Sequence, residues 1–160
     1  MPRRVRVGDE GNSVNKRLDA QRLALWRSYR HVAASIDAEI ARELDTAGEH
    51  ELVVFEVLAL LDASGGRMRM QEISEALVIK RSTFTRLIDR MDAKGLVARE
   101  LTTDDGRGVV AVLTNKGQRA FLRARPAYRR SVQQLFARHL TDTDVNALVR
   151  ILHKLDTQES

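Results

Sequence analysis

Residues 70–114 read MQEISEALVIKRSTFTRLIDRMDAKGLVARELTTDDGRGVVAVLT, and the reading of this stretch decides the fold. Periodicity predicts a short helix over residues 71–77, with Ile73, Ala76 and Leu77 inward, then a tight turn and a second helix over residues 79–94. The apolar side of the second helix is Ile79, Phe84, Leu87, Ile88 and Met91. Subtracting that stripe leaves Arg81, Ser82, Thr83, Thr85, Arg86 and Arg90 exposed. Gly95 follows as a residue able to take the left-handed conformation that closes a helix. Two strands are then expected, Val97–Leu101 and Val109–Leu113, around a loop whose Asp104-Asp105-Gly106-Arg107-Gly108 has hairpin-tip chemistry. A short helix followed by a donor-rich helix presents side chains to a DNA major groove, and a basic hairpin beside it supplies a second probe. The stretch therefore predicts a winged helix that binds duplex DNA.

Charge supports the same direction. The 160-residue chain carries a net +5, but residues 80–130 hold 13 Lys or Arg against five acids, and the remainder is net −3. A positive field is thus concentrated on and just behind the expected reader. The chain has no cysteine, which excludes disulfides, thiol redox sensing and Cys-ligated zinc. No apolar run approaches the roughly 18 residues of a membrane span, and no apolar segment follows the N-terminal arginines. A cytoplasmic protein without membrane association is the expectation. Arg3, Arg4 and Arg6 lie in a polar stretch, residues 1–17, read as a mobile basic arm.

Outside the central stretch, the pattern is helical. Leu25, Tyr29, Val32, Ile36, Ile40 and Leu44 recur at three- and four-residue steps, with Trp26 widening the stripe, and predict one long helix over residues 18–44. Residues 52–61 are apolar at nearly every position, the mark of a helix buried on all sides. Gly65-Gly66 ends it, and residues 67–70 are expected to add a short strand to the sheet. Thr114 is placed to cap a further helix in which Pro126 predicts a kink near residues 122–126. Thr141 and Asp144 form a capping-box pattern before a last helix with Val145, Leu148, Val149, Leu152 and Leu155 on one face.

Three pieces in order carry a family resemblance: Ser82-Thr83-Phe84-Thr85-Arg86-Leu87-Ile88-Asp89-Arg90-Met91, then Lys94-Gly95-Leu96-Val97-Ala98-Arg99, then Asp105-Gly106-Arg107. The last is followed by Leu113-Thr114 and by Gly117 three residues beyond the threonine. In this spacing the sequence resembles the MarR family of bacterial transcription regulators. The resemblance implies a mainly α chain with a small antiparallel β-wing, its winged helix-turn-helix over residues 48–114 flanked by dimerisation helices over residues 18–47 and 115–160. It implies a homodimeric regulator, usually a repressor, on a pseudo-palindromic operator, often released by a small anionic or aromatic effector. One departure is Val78, where many relatives place Ser or another capping residue. Valine is a poor N-cap, so a shifted or weaker helix start is expected.

Among single residues, Arg86 stands out as a base reader or phosphate clamp, with Ser82 and Thr83 donating beside it. Arg107 is expected in the minor groove, with Asp105 and Arg99 as its buttress. Trp26, Tyr29, Arg30 and Phe55 are the candidates for an effector pocket, against plain core packing for Trp26 and Phe55. His31, His50, His139 and His153 are scattered, so no metal site is expected, and no cofactor motif is present. There is no phosphate loop, nucleophile elbow or HExxH, and the adjacent carboxylates Asp104-Asp105 in a hairpin tip do not make an acid–base dyad. An enzyme is therefore not expected. The alternative is a winged-helix protein-interaction module without specific DNA readout.

Overall fold

The run of apolar residues after Glu51 folds into the helix around which the rest is packed. In the computed structural model, residues 18–48, 51–101 and 108–156 are described. They form α1 (Ala20–Thr46), α2 (Leu52–Ala63), β1 (Arg67–Arg69), α3 (Met70–Ala76), α4 (Arg81–Ala93), β2 (Val97–Leu101), β3 (Val109–Leu113), α5 (Asn115–Leu135) and α6 (Asp142–Asp156). A single 3-10 turn, Ala137–His139, joins the last two helices. The fold is mainly helical with one three-stranded antiparallel sheet of order β1-β3-β2. Two units are distinguished, Met1–Ala34 and Ser35–Ser160.

In the larger unit, α2 buries Val54, Phe55, Val57, Leu58 and Leu61, as its unbroken apolarity requires. Phe55 stacks on Tyr128 with centroids 4.4 Å apart and meets Phe121 at 5.4 Å, which ties α2 to α5. α4 contributes Phe84, Leu87, Ile88 and Met91, all at 5% exposure or less. α3 differs from expectation in detail. Ile73 is buried, but Ala76 is exposed and Ser74 is buried in its place, its hydroxyl donating to the Gln71 carbonyl. A small side chain that satisfies its own polar group within the helix can be buried without a distant partner.

Register fixes the sheet. Arg99 lies opposite Ala111, Val97 opposite Leu113 and Met68 opposite Ala111 from the other side, so the buried Ala111 is the centre of all three strands. Arg67 reaches across β3 to the Glu100 carboxylate at 2.6 Å. Both long strands have the bounds expected from the sequence. Thr114 caps α5 as expected, accepting from the Gly117 N–H at 3.0 Å while donating to the Gly95 carbonyl. The helix runs through Pro126 without a break. Thr141 and Asp144 make the reciprocal capping bonds predicted for α6. The Thr141 hydroxyl, and then its N–H, donate to the Asp144 carboxylate and hold that carboxyl below its usual range.

The start of α4 is shifted from residue 79 to Arg81, as expected, but the reading of Val78 as its N-cap is corrected. Its N-cap is Lys80, not Val78, and no side chain caps it. Val78 instead closes α3: its N–H bonds to the Glu75 carbonyl and the next amide, of Ile79, bonds to the Ser74 carbonyl. This paired closure needs a left-handed residue, and Val78 adopts φ 52°. For an L residue that conformation costs about 1–2 kcal/mol.

In the smaller unit, α1 exposes Leu25, Trp26, Tyr29 and Val32. Trp26 stacks on Tyr29 at 6.0 Å, and the Arg30 guanidinium lies 5.8 Å from the Trp26 ring centre. In the larger unit α6 exposes Val149, Leu152 and Leu155 and buries no residue.

One contact sets the junction between β2 and α5. A Cβ on Gly117 would lie 2.0 Å from the Leu96 carbonyl oxygen, a backbone atom that cannot swing away. Gly117→Ala should therefore destabilise the fold by about 3 kcal/mol or more, the upper range of overpacking costs, as read by urea unfolding.

Candidate nucleic-acid interface

The exposed half of α4 is a product of its buried half. Four apolar anchors at three- and four-residue steps lock the helix rotation, so the remaining positions have one direction left to point. Arg81, Ser82, Thr83, Thr85, Arg86 and Arg90 are all exposed, as expected. They divide into two stripes. Arg81 and Thr85 continue to Asp89 and border a cleft of about 550 Å³ shared with Arg69, Arg99 and Val109. Ser82, Arg86 and Arg90 border the other cleft, of about 460 Å³, with Thr83, Ile79 and Val53.

The cations of this face are not equivalent. Arg90 is held by the Glu51 carboxylate through both terminal guanidinium nitrogens, at 3.2 and 3.3 Å. Glu51 is the N-cap position of α2, so this pair ties two helices that are 39 residues apart at the contact. Arg99 on β2 is ion-paired with Asp89 and also donates toward the Thr85 carbonyl at 3.5 Å. Its Nε is buried with no hydrogen-bond partner among the described residues. Arg81 and Arg86 make no ion pair among the described residues. Thr85 spends its hydroxyl proton on the Arg81 carbonyl at 2.9 Å, and so faces outward as an acceptor.

Asp105 and Arg107, the expected wing tip, lie outside the described residues, as do Arg3, Arg4, Arg6 and His50. Arg99, grouped with them from sequence, is buttressed by Asp89 of α4. Glu51 was not singled out from sequence, and Asp89 was not assigned to Arg99. Asp89 was findable in principle, four residues after Thr85 on the Arg81 stripe. Glu51 was not, because nothing local relates it to Arg90. Of the effector candidates, Phe55 is 4% exposed and engaged with Phe121 and Tyr128, while Trp26, Tyr29 and Arg30 form the exposed stack on α1. Among the described residues no group of three or more His, Asp or Glu could hold a metal ion.

Residues 51–108 match the sequence pattern of the MarR family. The transcriptional repressor MdtR of Bacillus subtilis is 29% identical over 128 residues, covering 80% of this chain and 81% of that one. Among solved structures, AbsC, a MarR family transcriptional regulator from Streptomyces coelicolor, superposes with a TM-score of 0.80 at 28% identity, over 89% of this chain and 96% of that one. The chain is thus similar to MarR family regulators in sequence over residues 51–108 and in fold over most of its length. Sco3205, a MarR family regulator of the same organism solved in complex with DNA, matches at a TM-score of 0.79 and 28% identity, over 88% of this chain and 92% of that one. The family is one of transcription regulators rather than enzymes. Among the described residues, no helix is long and apolar enough to cross a membrane.

A second polar cluster lies away from the arginines. Burial, and then the nearby Asp37 carboxylate, raise the Glu56 carboxyl above its usual range. Burial, followed by Glu56 and Asp37, raises the Tyr128 hydroxyl. A carboxyl raised in the folded state binds more protons there than in the unfolded chain, so its contribution opposes folding above the folded pKa and fades as pH falls through it. Glu56→Gln should therefore raise the melting temperature at pH 7, with the gain shrinking toward acid pH. Melting curves of both proteins across pH 4–8 check this.

Proposed function

We propose that this chain is a transcription regulator that binds duplex DNA as a homodimer, in the cytoplasm, with α4 in the major groove. The observation that carries the reading is the α4 face, where Arg81 and Arg86 are exposed without ion pairs among the described residues, beside Ser82 and Thr83 on a helix anchored by four buried residues. An arginine already paired to a carboxylate must give up that partner to reach DNA, whereas an unpaired one is available at no such cost. Arg81 and Arg86 are therefore the leading contacts, with Ser82, Thr83 and Thr85 as hydrogen-bonding neighbours. Arg90 and Arg99 serve first to position the helix and the sheet, and approach phosphate from there. Arg107, oriented by Asp105, enters the minor groove. The named repressor MdtR and the DNA complex of Sco3205 support this assignment and favour repression. Nothing favours a protein-interaction module, which would place acids or apolar groups where α4 carries arginines.

The dimer reading rests on the terminal helices. Residues 48–114 serve as the reader, and the helices of residues 18–47 and 115–160 join two copies. Exposed Leu25, Trp26 and Val32 on α1, and Val149, Leu152 and Leu155 on α6, are apolar surface that a second copy would remove from water. An aromatic or anionic effector would dock on the Trp26, Tyr29 and Arg30 stack. Light scattering at low micromolar concentration should give twice the 18.1 kDa chain mass. A monomer that still binds an operator tightly would refute the arrangement.

Two-fold symmetry predicts a pseudo-palindromic operator with half-sites about 10–10.5 base pairs apart or a multiple of that. Arg86→Ala should lose about 1–3 kcal/mol on that site and relax base preference at one position per half-site, as a bidentate base contact would. Arg107→Ala should lose affinity according to the A·T content of the flank rather than a single base. Fluorescence anisotropy on operator and random duplex at two salt concentrations measures both, since non-specific binding collapses as salt rises. Unchanged operator binding by Arg86→Ala would mean that the face is wrongly assigned.

A further inference from the structure

Val78 is the only described residue other than glycine with a positive φ. The turn it makes has two counterparts in the same unit. α2 ends with Gly65 donating to Asp62 and Gly66 to Leu61, and α4 ends with Gly95 donating to Asp92 and Leu96 to Met91. At both, the left-handed position is glycine, with φ 76° and 67°. At the end of α3 the same position carries a β-branched side chain, the kind that conformation tolerates least. The fold gives nothing back, because Val78 is 92% exposed. In the free protein Val78 is unfavourable twice over, by its backbone conformation and by an isopropyl group in water. Strain kept at an exposed position points to a contact made elsewhere.

Its location says with what. Val78 stands two residues before Lys80, the N-cap of α4, and the exposed Arg81, Ser82 and Thr83 follow at once. The N-terminal residues of a recognition helix are those that approach base edges. Beside these donors, a branched apolar group matches the one apolar feature of the major groove, the C5 methyl of thymine. We propose that Val78 is a specificity-determining residue that packs on a thymine methyl in each half-site, an inference that rests on the DNA-binding reading above.

The test uses the full chain and a duplex it selects from a randomised pool. Each thymine of the selected half-site is then replaced singly by deoxyuridine, which removes only the methyl group. Wild type should lose about fourfold in affinity at one such position, the effect of one buried methyl-sized group. Val78→Gly and Val78→Asn, both suited to the left-handed turn, should melt at higher temperature than wild type and yet bind the site more weakly. Neither should distinguish thymine from deoxyuridine at that position. A purely structural role would move stability and binding in the same direction. Variants that bind as tightly as wild type, or that keep the full deoxyuridine penalty, would overturn the inference. So would a wild type that selects a site indifferent to every thymine methyl. A wild type that selects no duplex would instead overturn the DNA-binding reading, and this inference with it.

Discussion

The burial of Phe84, Leu87, Ile88 and Met91 is the constraint on which the functional surface depends. These four side chains are almost fully removed from water, and together they fix both the axial position and the rotation of α4. A helix free to turn by one residue, about 100°, would carry Arg86 off its face and bring in Asp89 or Leu87. The apolar half thus determines which chemistry reaches solvent, although none of its members is exposed. α2 makes such firm anchoring possible, because its buried side chains lie in the same core as those of α4, the sheet and α5.

Electrostatics then sorts the cations that packing exposes. Arg90 and Arg99 are held by Glu51 and Asp89, each linking α4 or its neighbour strand to a different element. Exposed pairs of this kind contribute on the order of 0–1 kcal/mol to stability, so their effect is on geometry more than on the melting point. They hold the flanks of the helix while leaving Arg81 and Arg86 uncommitted. The acids inside this basic region therefore do not weaken the positive field uniformly. Asp89 neutralises Arg99 and Glu51 neutralises Arg90, which leaves one arginine without an ion pair among the described residues on each stripe, Arg81 and Arg86.

What was legible in the sequence was what local periodicity encodes. The strands Val97–Leu101 and Val109–Leu113 were readable because β-branched residues are bounded by Gly95 on one side and by the glycine-bearing loop on the other. The exposed α4 residues were readable because a 3.6-residue repeat has only one apolar side. The Arg90–Glu51 pair was hidden, since a contact between residues 51 and 90 depends on how helices meet rather than on any local pattern. Val78 was misread for another reason. Its position before a helix suggested a failed N-cap, but the preceding helix ends first, and the hydrogen bonds assign Val78 to that ending. Sequence spacing alone does not say which of two adjacent helices owns a short turn.

The chain also separates the two things a symmetric DNA reader must specify. Which α4 groups would face a half-site, on the reading proposed above, follows from the α4 anchors, the Ala111-centred sheet and the close approach of Gly117 to Leu96. None of these involves the exposed apolar residues of α1 or α6. In the dimer proposed above, the distance between half-sites would come from the surface that each of those helices leaves uncovered. A change confined to that surface can alter spacing or shift an equilibrium between spacings without disturbing a single contact of the reader. That division gives a bound effector a route to control: it needs to act only on the terminal helices, because two intact readers held at the wrong separation cannot both reach their half-sites.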